Sequence, residues 1–470
     1  MANGGEAVRS SAMLKMRSIP FVTALLASLV LSPAALAASA VQVDAIRAAA
    51  LEDRVAMDFV EGLTTEVGPR PAGTPQEARA RDWAVAKLIA LGFSNVRAEP
   101  YRMPVWQRGR DEARILSPFP QKLLVAALGN SASTPAKGIE GDVVYFPTLA
   151  ALEAAPEGSL KGKIAFVSHA MQATQDGSSY GYFGAARRQG PSIASKKGAV
   201  AILIKSIGTD SHRLPHSGVQ IWAPGARPIP AAALSVPDAE QLERVIARGQ
   251  PVALHLTLTS RMLKDQPSGN VIAEIPGSDP NGGLVVAACH LDSWDQGTGA
   301  IDDAAGCGII AAAALHAAKS GTPRRTIRIL LAGAEEVGGD GARAYFAAHG
   351  KEPHAMAMES DFGADRVWRV DFKLPGNHDD LVRRIAGGLA PLGIAASRIP
   401  AGGGADIEPL VQAGVSVVDL QQDGTRYFDL HHTADDTLDK IDPVQLRQNV
   451  AAWAVALCEI ADASETLGIN

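Results

Sequence analysis

The amino-acid sequence predicts an α/β protein with a mostly parallel mixed sheet, helices on both faces, and a small β-rich insert domain. Three observations support this fold class. From residue 270 onward, apolar strands alternate with helices, which is typical of a sheet covered by helices. Between residues 124 and 262, short β-type runs are separated mainly by turns. The chain has 470 residues, which is too long for one ordinary core.

The strands and helices of the larger part follow one another in a regular order. The runs interpreted as strands, from their apolar and β-branched residues, are 284–289, 326–332, 355–358 and 415–420. The segments with helical apolar spacing are 77–91, 304–318, 341–349 and 443–460. We therefore expect residues 38–123 and 263–470 to form the main domain, with residues 124–262 inserted into it.

Composition excludes some classes of function. Hydrophobic residues make up 47% of the chain and charged residues 20%, as in globular proteins. The formal net charge is -6. Because there is no basic excess, neither a nucleic acid nor an anionic membrane is expected as a partner.

The N-terminal residues have the pattern of a secretory signal peptide. Lys15 and Arg17 precede an apolar run at 19–31, and Ala35-Leu36-Ala37 is a small-x-small cleavage pattern. The alternative is a membrane anchor, but the apolar run is short for a membrane span. We predict a signal peptide at 1–37 and an exported protein, periplasmic or secreted, without stable membrane insertion after cleavage.

The chain has only three cysteines, Cys289, Cys307 and Cys458. They make no disulfide framework of the kind found in small secreted domains. Two of them lie in apolar stretches, which favours small core residues over metal ligands. Cys289 should point to the opposite face of its strand from His290, so it is not counted as a metal ligand.

Histidines and acidic residues collect where the predicted strands end. Because ligand sites of open α/β sheets lie beyond the carboxyl ends of the strands, we expect these side chains to meet at one rim. They are His290, Asp292, Asp302, Glu335, Glu336, Asp361, His431 and His432.

These residue types predict a metal site for zinc, with cobalt or manganese as substitutes, because imidazole and carboxylate ligands suit those ions. Asp292 can orient the imidazole of His290. Glu335 and Glu336 are adjacent and point to different sides, so one can bind metal while the other holds the attacking water.

Five motifs together resemble the co-catalytic di-zinc aminopeptidase and glutamate carboxypeptidase family. The resemblance covers nearly the whole chain after the signal peptide, and the insert resembles a protease-associated domain. The motifs are His290-Leu-Asp-Ser-Trp-Asp, Gly299-Ala-Ile-Asp-Asp-Ala-Ala-Gly, Ala334-Glu-Glu-Val-Gly-Gly-Asp-Gly-Ala, Glu359-Ser-Asp-Phe-Gly and His432-Thr-Ala-Asp-Asp-Thr.

The resemblance implies two zinc ions per chain. His290 and Asp361 would bind one zinc, and Glu336 and His432 the other. Asp302 would bridge the two ions.

It also implies roles for the neighbours of these ligands. Glu335 would be the general base and then the general acid, and Asp292 would support the first histidine ligand. The family pattern places the last ligand directly before Thr or Ser, which favours His432 and leaves His431 facing the substrate. A cis peptide bond is implied after Asp302.

The predicted reaction is hydrolysis of short peptides, dipeptides especially, at a free terminus by a metal-activated water. Three alternatives stay open. They are an aminopeptidase acting on longer peptides, a glutaminyl cyclase-type acyltransferase with a single zinc, and a non-catalytic binding homologue. Such cyclases lack the insert, and non-catalytic homologues have lost ligands that are present here. Relatives of this type often form homodimers, but no feature of the sequence identifies an interface.

Two further segments have simple interpretations. His216, within the insert, is interpreted as a loop histidine, although it could reach the cleft. The glycine-rich segment 402–407 is interpreted as a strand-to-helix turn, although it could shape the substrate pocket.

Overall fold

A computed structural model describes residues 39–319 and 321–467, together with Met1. The predicted signal peptide at 1–37 and its cleavage site therefore lie outside the described residues, apart from Met1. All elements below are those of the described part of the chain.

The strands are β1 Ser94–Gln107, β2 Asp111–Ser117, β3 Gln121–Leu123, β4 Val125–Ala127, β5 Ile139–Phe146, β6 Ile164–Val167, β7 Ala201–Lys205, β8 Ala231–Leu234, β9 Ala253–Leu258, β10 Arg261–Ile275, β11 Leu284–His290, β12 Thr326–Ala332, β13 His354–Glu359, β14 Val367–Lys373, β15 Ala395–Ala396 and β16 Val417–Gln422.

The α-helices are α1 Ala40–Ala50, α2 Val55–Gly62, α3 Pro75–Ala90, α4 Leu149–Ala154, α5 Ser178–Phe183, α6 Ala185–Arg188, α7 Gly190–Lys196, α8 Val236–Ile246, α9 Ala305–Ala318, α10 Asp340–His349, α11 Asp379–Leu389, α12 Glu408–Gln412, α13 Tyr427–Leu430 and α14 Pro443–Ala461. Single π-type turns occur at Leu63–Val67 and Ala300–Ala304, and 3-10 turns at Ala390–Leu392 and Leu438–Lys440.

The first sheet has the strand order β1-β10-β12-β11-β13-β16-β14-β15. Its centre, from β12 through β11 and β13 to β16, is parallel. Antiparallel pairs flank this centre, with β10 on β12 and β14 on β16. The predicted mixed α/β sheet is therefore confirmed, and its parallel centre directs several strand ends toward one edge.

Helices cover both faces of this sheet because the central strands are apolar on both sides. In β11, Val285 and Ala287 share a core with α9 and α14. The alternate residues Val286 and Ala288 belong to a second core with α10 and α12. The segment Ala300–Ala318 is apolar and long enough to cross a membrane, but 94% of it is buried inside the protein, as in a core helix.

The second sheet has the strand order β3-β2-β9-β5-β6-β7-β8-β4 and its own hydrophobic core. It contains the strands predicted for the β-rich insert. It also contains β2 and β3, which precede the predicted start of the insert at residue 124. The second sheet therefore begins earlier in the chain than that boundary.

A long antiparallel pair, β1 with β10, forms one edge of the first sheet and leads into the second. Neither strand was predicted over its full length. Both carry prolines and many exposed polar side chains where they pair only with each other, before β10 reaches β12, so the apolar pattern of a strand is weak there.

Cys289 and Cys307 form a disulfide between β11 and α9. Both cysteines are buried in the core, but the sequence did not predict that they pair. The sequence separation is 18 residues, and nothing in the pattern of three cysteines showed which pair would meet. Cys289 faces α9 and takes no place among the predicted metal ligands.

Candidate metal centre

The carboxylate of Asp302 lies between two sets of potential metal ligands. Its Oδ1 is 3.0 Å from Nε2 of His290, and that nitrogen is 3.4 Å from Oδ1 of Asp361. Its Oδ2 is 3.4 Å from Nε2 of His432, which is 2.8 Å from Oε2 of Glu336. The structure thus brings all the predicted ligands together and places Asp302 in the middle, as a bridging carboxylate requires.

His431 lies beside this cluster. Its ring stacks on the ring of His432 with centroids 3.5 Å apart, and its Nε2 is 3.7 Å from Oδ2 of Asp302. These three residues could hold an ion together. However, His432 is nearer to Asp302 and also contacts Glu336. The geometry therefore favours His432 as the ligand and leaves His431 facing the cavity.

Unusual backbone conformations turn these side chains toward one another. Ala334, which precedes the glutamate pair, has φ 61°, and His432 has φ 60°. Non-glycine residues rarely adopt this left-handed conformation, because the Cβ atom crowds the carbonyl oxygen at a cost of about 1–2 kcal/mol. Such conformations are frequent at functional sites, where the surroundings impose them. The peptide bond between Asp302 and Asp303 is cis, as the resemblance implies.

Glu335 is half-buried and lines the cavity beside the cluster. Its backbone N–H donates to Oδ1 of Asp292 over 3.1 Å. The imidazole of His290 is oriented mainly by the main-chain oxygen of Asp292, 3.0 Å from Nδ1, while the Asp292 carboxylate is 3.8 Å away. Asp292 therefore supports His290 through its carbonyl, and its carboxylate fixes the backbone of Glu335.

Burial controls the protonation of the cluster. Burial raises the pKa of Glu335 to about 8 and the pKa of Glu336 well above its usual range. Burial also lowers the pKa of His432 to about 4. Glu335, Glu336 and His432 are therefore neutral in the metal-free site, and a divalent cation that binds there has to displace protons from the two glutamates. Burial opposes charge on His290 and Asp302 as well, but their contacts with each other and with Asp361 and His432 hold the pKa of His290 well above its usual range and the pKa of Asp302 well below its usual range.

The donor atoms fit zinc. Among the described residues, Oδ2 of Asp302, Oε1 of Glu336 and Oδ1 of Asp361 are buried without a hydrogen-bond partner. Buried polar atoms normally have a partner, and these three oxygens lie around one point together with two imidazoles, as the donors of a metal site do. Imidazole nitrogens and carboxylate oxygens without thiolates match the preferences of zinc.

Arg70 is fully buried and holds the loops around the cluster, although no motif predicted it. Its guanidinium donates to the main-chain oxygens of Leu291, Thr298 and Gly299 over 2.5, 2.6 and 2.9 Å. Leu291 directly follows the predicted ligand His290, and Thr298 and Gly299 lie just before Asp302. The sequence did not predict this role, because Arg70 binds main-chain carbonyl groups and belongs to no motif of metal-binding or catalytic residues.

Asp436 joins the segment that carries His432 to the segment that carries Asp302. Its Oδ1 accepts hydrogen bonds from the backbone N–H groups of Ala300 and Ile301 over 2.8 and 2.7 Å. Asp436 belongs to the last sequence motif, and its carboxylate holds the turn that leads into Asp302.

A cavity of about 280 Å³ opens beside the cluster. The main domain lines it with Asp302, Glu335, Glu336, Asp361, Phe362, Tyr427, Phe428, His431 and His432. The second-sheet part of the chain adds Tyr180, Arg187 and Val219, which sequence reasoning missed.

His216 lies in a loop, as expected, and supports the histidine pair from behind. Its exposed fraction is 1%. Nδ1 donates to the main-chain oxygen of His431 over 2.7 Å, and Nε2 contacts Oδ2 of Asp210. His216 therefore fixes the segment that presents His431 and His432.

The glycine-rich segment 402–407 leads into α12, as the predicted turn does. The backbone N–H groups of Gly402 and Gly403 donate to Oδ2 of Asp419 over 2.7 and 3.0 Å. A Cβ atom at Gly404 would lie 1.9 Å from a carboxylate oxygen of Glu359. A side chain at this position would therefore force the half-buried carboxylate of Glu359 to move from its place beside the loop.

Buried imidazole and carboxylate donors at the carboxyl ends of parallel strands define the class of the protein, a zinc hydrolase of α/β fold. Residues 270–457 match the sequence profile of peptidase family M28. The chain belongs to this family of zinc-dependent exopeptidases, which includes carboxypeptidase Q and the aminopeptidases.

Known proteins support this assignment. Mouse carboxypeptidase Q is 34% identical over 409 residues, which cover 86% of this chain and 85% of that protein. A peptidase M28 precursor from Shewanella amazonensis SB2B has a sequence 44% identical to this chain. Its crystal structure superposes with a TM-score of 0.87 and covers 90% of this chain and 97% of that chain. A zinc aminopeptidase from Bacillus subtilis is 20% identical, with a TM-score of 0.62 over 88% and 98% of the two chains, and shows the shared fold. The predicted family, fold class and enzyme class are confirmed.

Replacement of Arg70 by lysine is expected to destabilise the protein. An ammonium group cannot reach separate carbonyl oxygens as a guanidinium does, and a buried carbonyl left unpaired costs about 1–3 kcal/mol. We expect the free energy of unfolding of the metal-free protein to fall by about 2–4 kcal/mol, measured by denaturant unfolding. Arg79→Lys, at an exposed arginine of α3, is the control. Equal stability of the two variants would contradict the role given to Arg70.

Proposed function

We propose that this chain is an exported di-zinc exopeptidase that hydrolyses short peptides, dipeptides above all. The observation that carries the proposal is the position of Asp302, with one carboxylate oxygen toward His290 and the other toward His432. Two donor sets that share one carboxylate are suited to two metal ions a short distance apart.

His290 and Asp361 would hold one zinc ion, Glu336 and His432 the other, and Asp302 would contact both. Bound zinc would lower the pKa of a coordinated water to about 7 and stabilise negative charge on the substrate carbonyl oxygen.

Glu335 acts as the general base. It lines the cavity together with Asp302, Glu336 and His432. In the proposed reaction it removes the proton of the attacking water and delivers that proton to the leaving amine. The hydrogen bond from its backbone to Asp292 keeps it in place for both transfers.

The dimensions of the cavity support a short substrate. Its volume of about 280 Å³ is near the lower end of the range of roughly 300–1,000 Å³ for ligand pockets. Tyr180, Arg187 and Val219 line it on the side of the second sheet. A peptide of a few residues fills such a space, whereas a longer chain needs an open groove.

Glu335→Gln is expected to retain zinc and to lose hydrolysis of a dipeptide panel. An amide cannot accept the proton of the water, so kcat should fall by about 10²–10⁴-fold. Elemental analysis measures the zinc content of the variant. Turnover is measured with the dipeptide panel and with longer peptides. Glu408→Gln, at an exposed glutamate, is the matched control. Turnover by Glu335→Gln at the wild-type rate would exclude Glu335 as the base.

The two neighbouring histidines are expected to differ in metal binding. His432→Gln should lower the zinc content from two ions per chain to one, because it removes the contact with Glu336. His431→Gln should keep both ions and raise KM instead. Equilibrium dialysis followed by metal analysis measures the number of zinc ions bound per chain in each variant. Loss of one zinc in His431→Gln, with two retained in His432→Gln, would reverse the assignment.

Export is supported by the N-terminal pattern and by the disulfide, because disulfides persist mainly in oxidising compartments. We expect the mature protein to begin at Ala38 and to be found outside the cytoplasm. N-terminal sequencing and non-reducing peptide mapping of the fractionated native protein test this, and the map should contain a linked Cys289–Cys307 peptide. A cytoplasmic protein with an intact N-terminus would refute export.

A further inference from the structure

The disulfide between Cys289 and Cys307 encloses a loop that carries two of the predicted zinc ligands. Cys289 directly precedes His290 at the end of β11, and Cys307 follows Asp302 in the first turn of α9. The sequence separation of the cysteines is 18 residues, so the enclosed loop is short. Because the bond joins the two ends of this loop, it limits how far the two ligands can move apart.

The backbone of His290 is held at the place where the disulfide reaches it. Its N–H donates to Oδ2 of Asp303 over 3.2 Å, and its main-chain oxygen lies 3.2 Å from Sγ of Cys307. Oδ1 of Asp303 accepts a hydrogen bond from the backbone N–H of Gly306 over 3.0 Å, in the first turn of α9. The start of α9 is therefore connected to both backbone groups of this ligand, through Cys307 on one side and through Asp303 on the other.

The segment that carries the third ligand, Asp361, packs against the same junction. The backbone N–H of Ser360 donates to the main-chain oxygen of Ala288 over 2.9 Å, directly before Cys289 in β11. A Cβ atom at Gly306 would collide with the main-chain oxygen of Ser360, so the first turn of α9 lies directly against that residue. All three ligands of this zinc ion thus come from segments that meet where the disulfide joins β11 to α9.

The other predicted zinc site has no covalent link of this kind. Glu336 follows β12, and His432 follows α13. Neither lies within the disulfide loop, which contributes only the shared carboxylate of Asp302 to this second site. The disulfide is therefore placed to act mainly on the site formed by His290, Asp302 and Asp361, which we call the His290 site.

Both cysteines of the disulfide are fully buried, with an exposed fraction of 0%. A reductant can reach the bond only when α9 separates from β11, and the same movement pulls His290 away from Asp302. A zinc ion in the His290 site opposes this movement, because it binds both segments. The disulfide and the zinc ion stabilise the same arrangement, so each must strengthen the other.

We propose that the disulfide positions His290 and Asp302 for zinc, and that the zinc ion in the His290 site protects the disulfide in return. This inference rests on the two zinc ions of the proposed function. A ligand set that is held in place before the metal arrives loses less entropy on binding. A disulfide that acted only on the unfolded chain would stabilise the fold without favouring either zinc site, so a comparison of the two sites distinguishes these roles.

Reduction by a phosphine breaks the link between the two segments. The S–S bond takes up two electrons from phosphorus and two protons from a water molecule, and gives two thiols. The phosphine becomes its oxide with the oxygen atom of that water. The reagent is removed before metal binding is measured, so the oxidised and reduced proteins differ only at Cys289 and Cys307.

The first test compares the zinc affinity of the oxidised and reduced proteins by competition with a chelator. In His432→Gln, which should keep only the His290 site, we expect reduction to raise the Kd for zinc by about 5–150-fold. In Asp361→Ala, which should keep only the second site, the change should stay below about threefold. Equal losses of affinity in the two sites, or no loss in the His290 site, would overturn the proposal.

Alanine variants test the same point without a reductant. Cys289→Ala/Cys307→Ala, placed in each of the two single-site variants, should reproduce the loss in the His290 site and the small change in the second site. Cys458→Ala, at a buried cysteine of α14, is the matched control and should leave both affinities unchanged. If it weakens the His290 site as much as the double variant does, core packing and not the disulfide sets the affinity, and the proposal is wrong.

The reverse measurement keeps both cysteines and does not depend on the folding of an alanine variant. The rate at which a phosphine reduces the disulfide is followed by thiol release, with and without bound zinc. Zinc should slow reduction by at least about fivefold in His432→Gln and by less than about twofold in Asp361→Ala. Each variant should hold one zinc ion, so equal protection would show that zinc acts only through overall stability and would refute the proposed coupling.

These outcomes separate the inference from the proposed function. Hydrolysis of dipeptides by a wild type with two zinc ions, together with equal affinity of the oxidised and reduced His290 sites, would overturn this inference alone. Coupling of zinc and disulfide without hydrolysis of any peptide would support this inference and disprove the peptidase activity.

Discussion

The bridging position of the Asp302 carboxylate is the constraint on which the rest of the structure depends. One oxygen must face His290 and the other His432, although these histidines belong to distant segments of the chain. Arg70 binds the carbonyl groups just before Asp302, and Asp436 binds the backbone N–H groups in the same turn. Both supports are buried. The geometry of the centre is therefore set by main-chain hydrogen bonds as much as by the ligands.

The parallel centre of the first sheet was predictable because β11 and β12 are apolar on both faces. The predicted strand 326–332 coincides with β12, and the predicted strand 284–289 lacks only the last residue of β11. The edge pair β1 and β10 was harder to predict. Pro100, Pro104 and exposed polar residues remove the alternation that marks a half-buried strand, and pairing across the chain determines the conformation instead.

The candidate ligands were predictable for a different reason. Each follows a strand or opens a helix, and the imidazole and carboxylate groups form motifs with metal chemistry. Arg70, Arg187 and His216 form no such motif, because they act on carbonyl oxygens and on residues far away in sequence. The pairing of Cys289 with Cys307 also depends on how α9 packs against β11. Tertiary contacts of this kind have no local pattern, so the structure was needed to find them.

The loop that follows β7 forms hydrogen bonds with the backbone of residues 428–432, the segment that ends in His431 and His432. Ser217 N–H donates to the carbonyl of His432 over 3.2 Å, Thr209 N–H donates to the carbonyl of Phe428 over 3.1 Å, and His216 binds the intervening carbonyl of His431. As a result, the two domains are not interchangeable modules. A chimera that took its insert from a homologue would keep these hydrogen bonds only if the foreign loop followed the same path beside residues 428–432 and placed an imidazole at the position of His216.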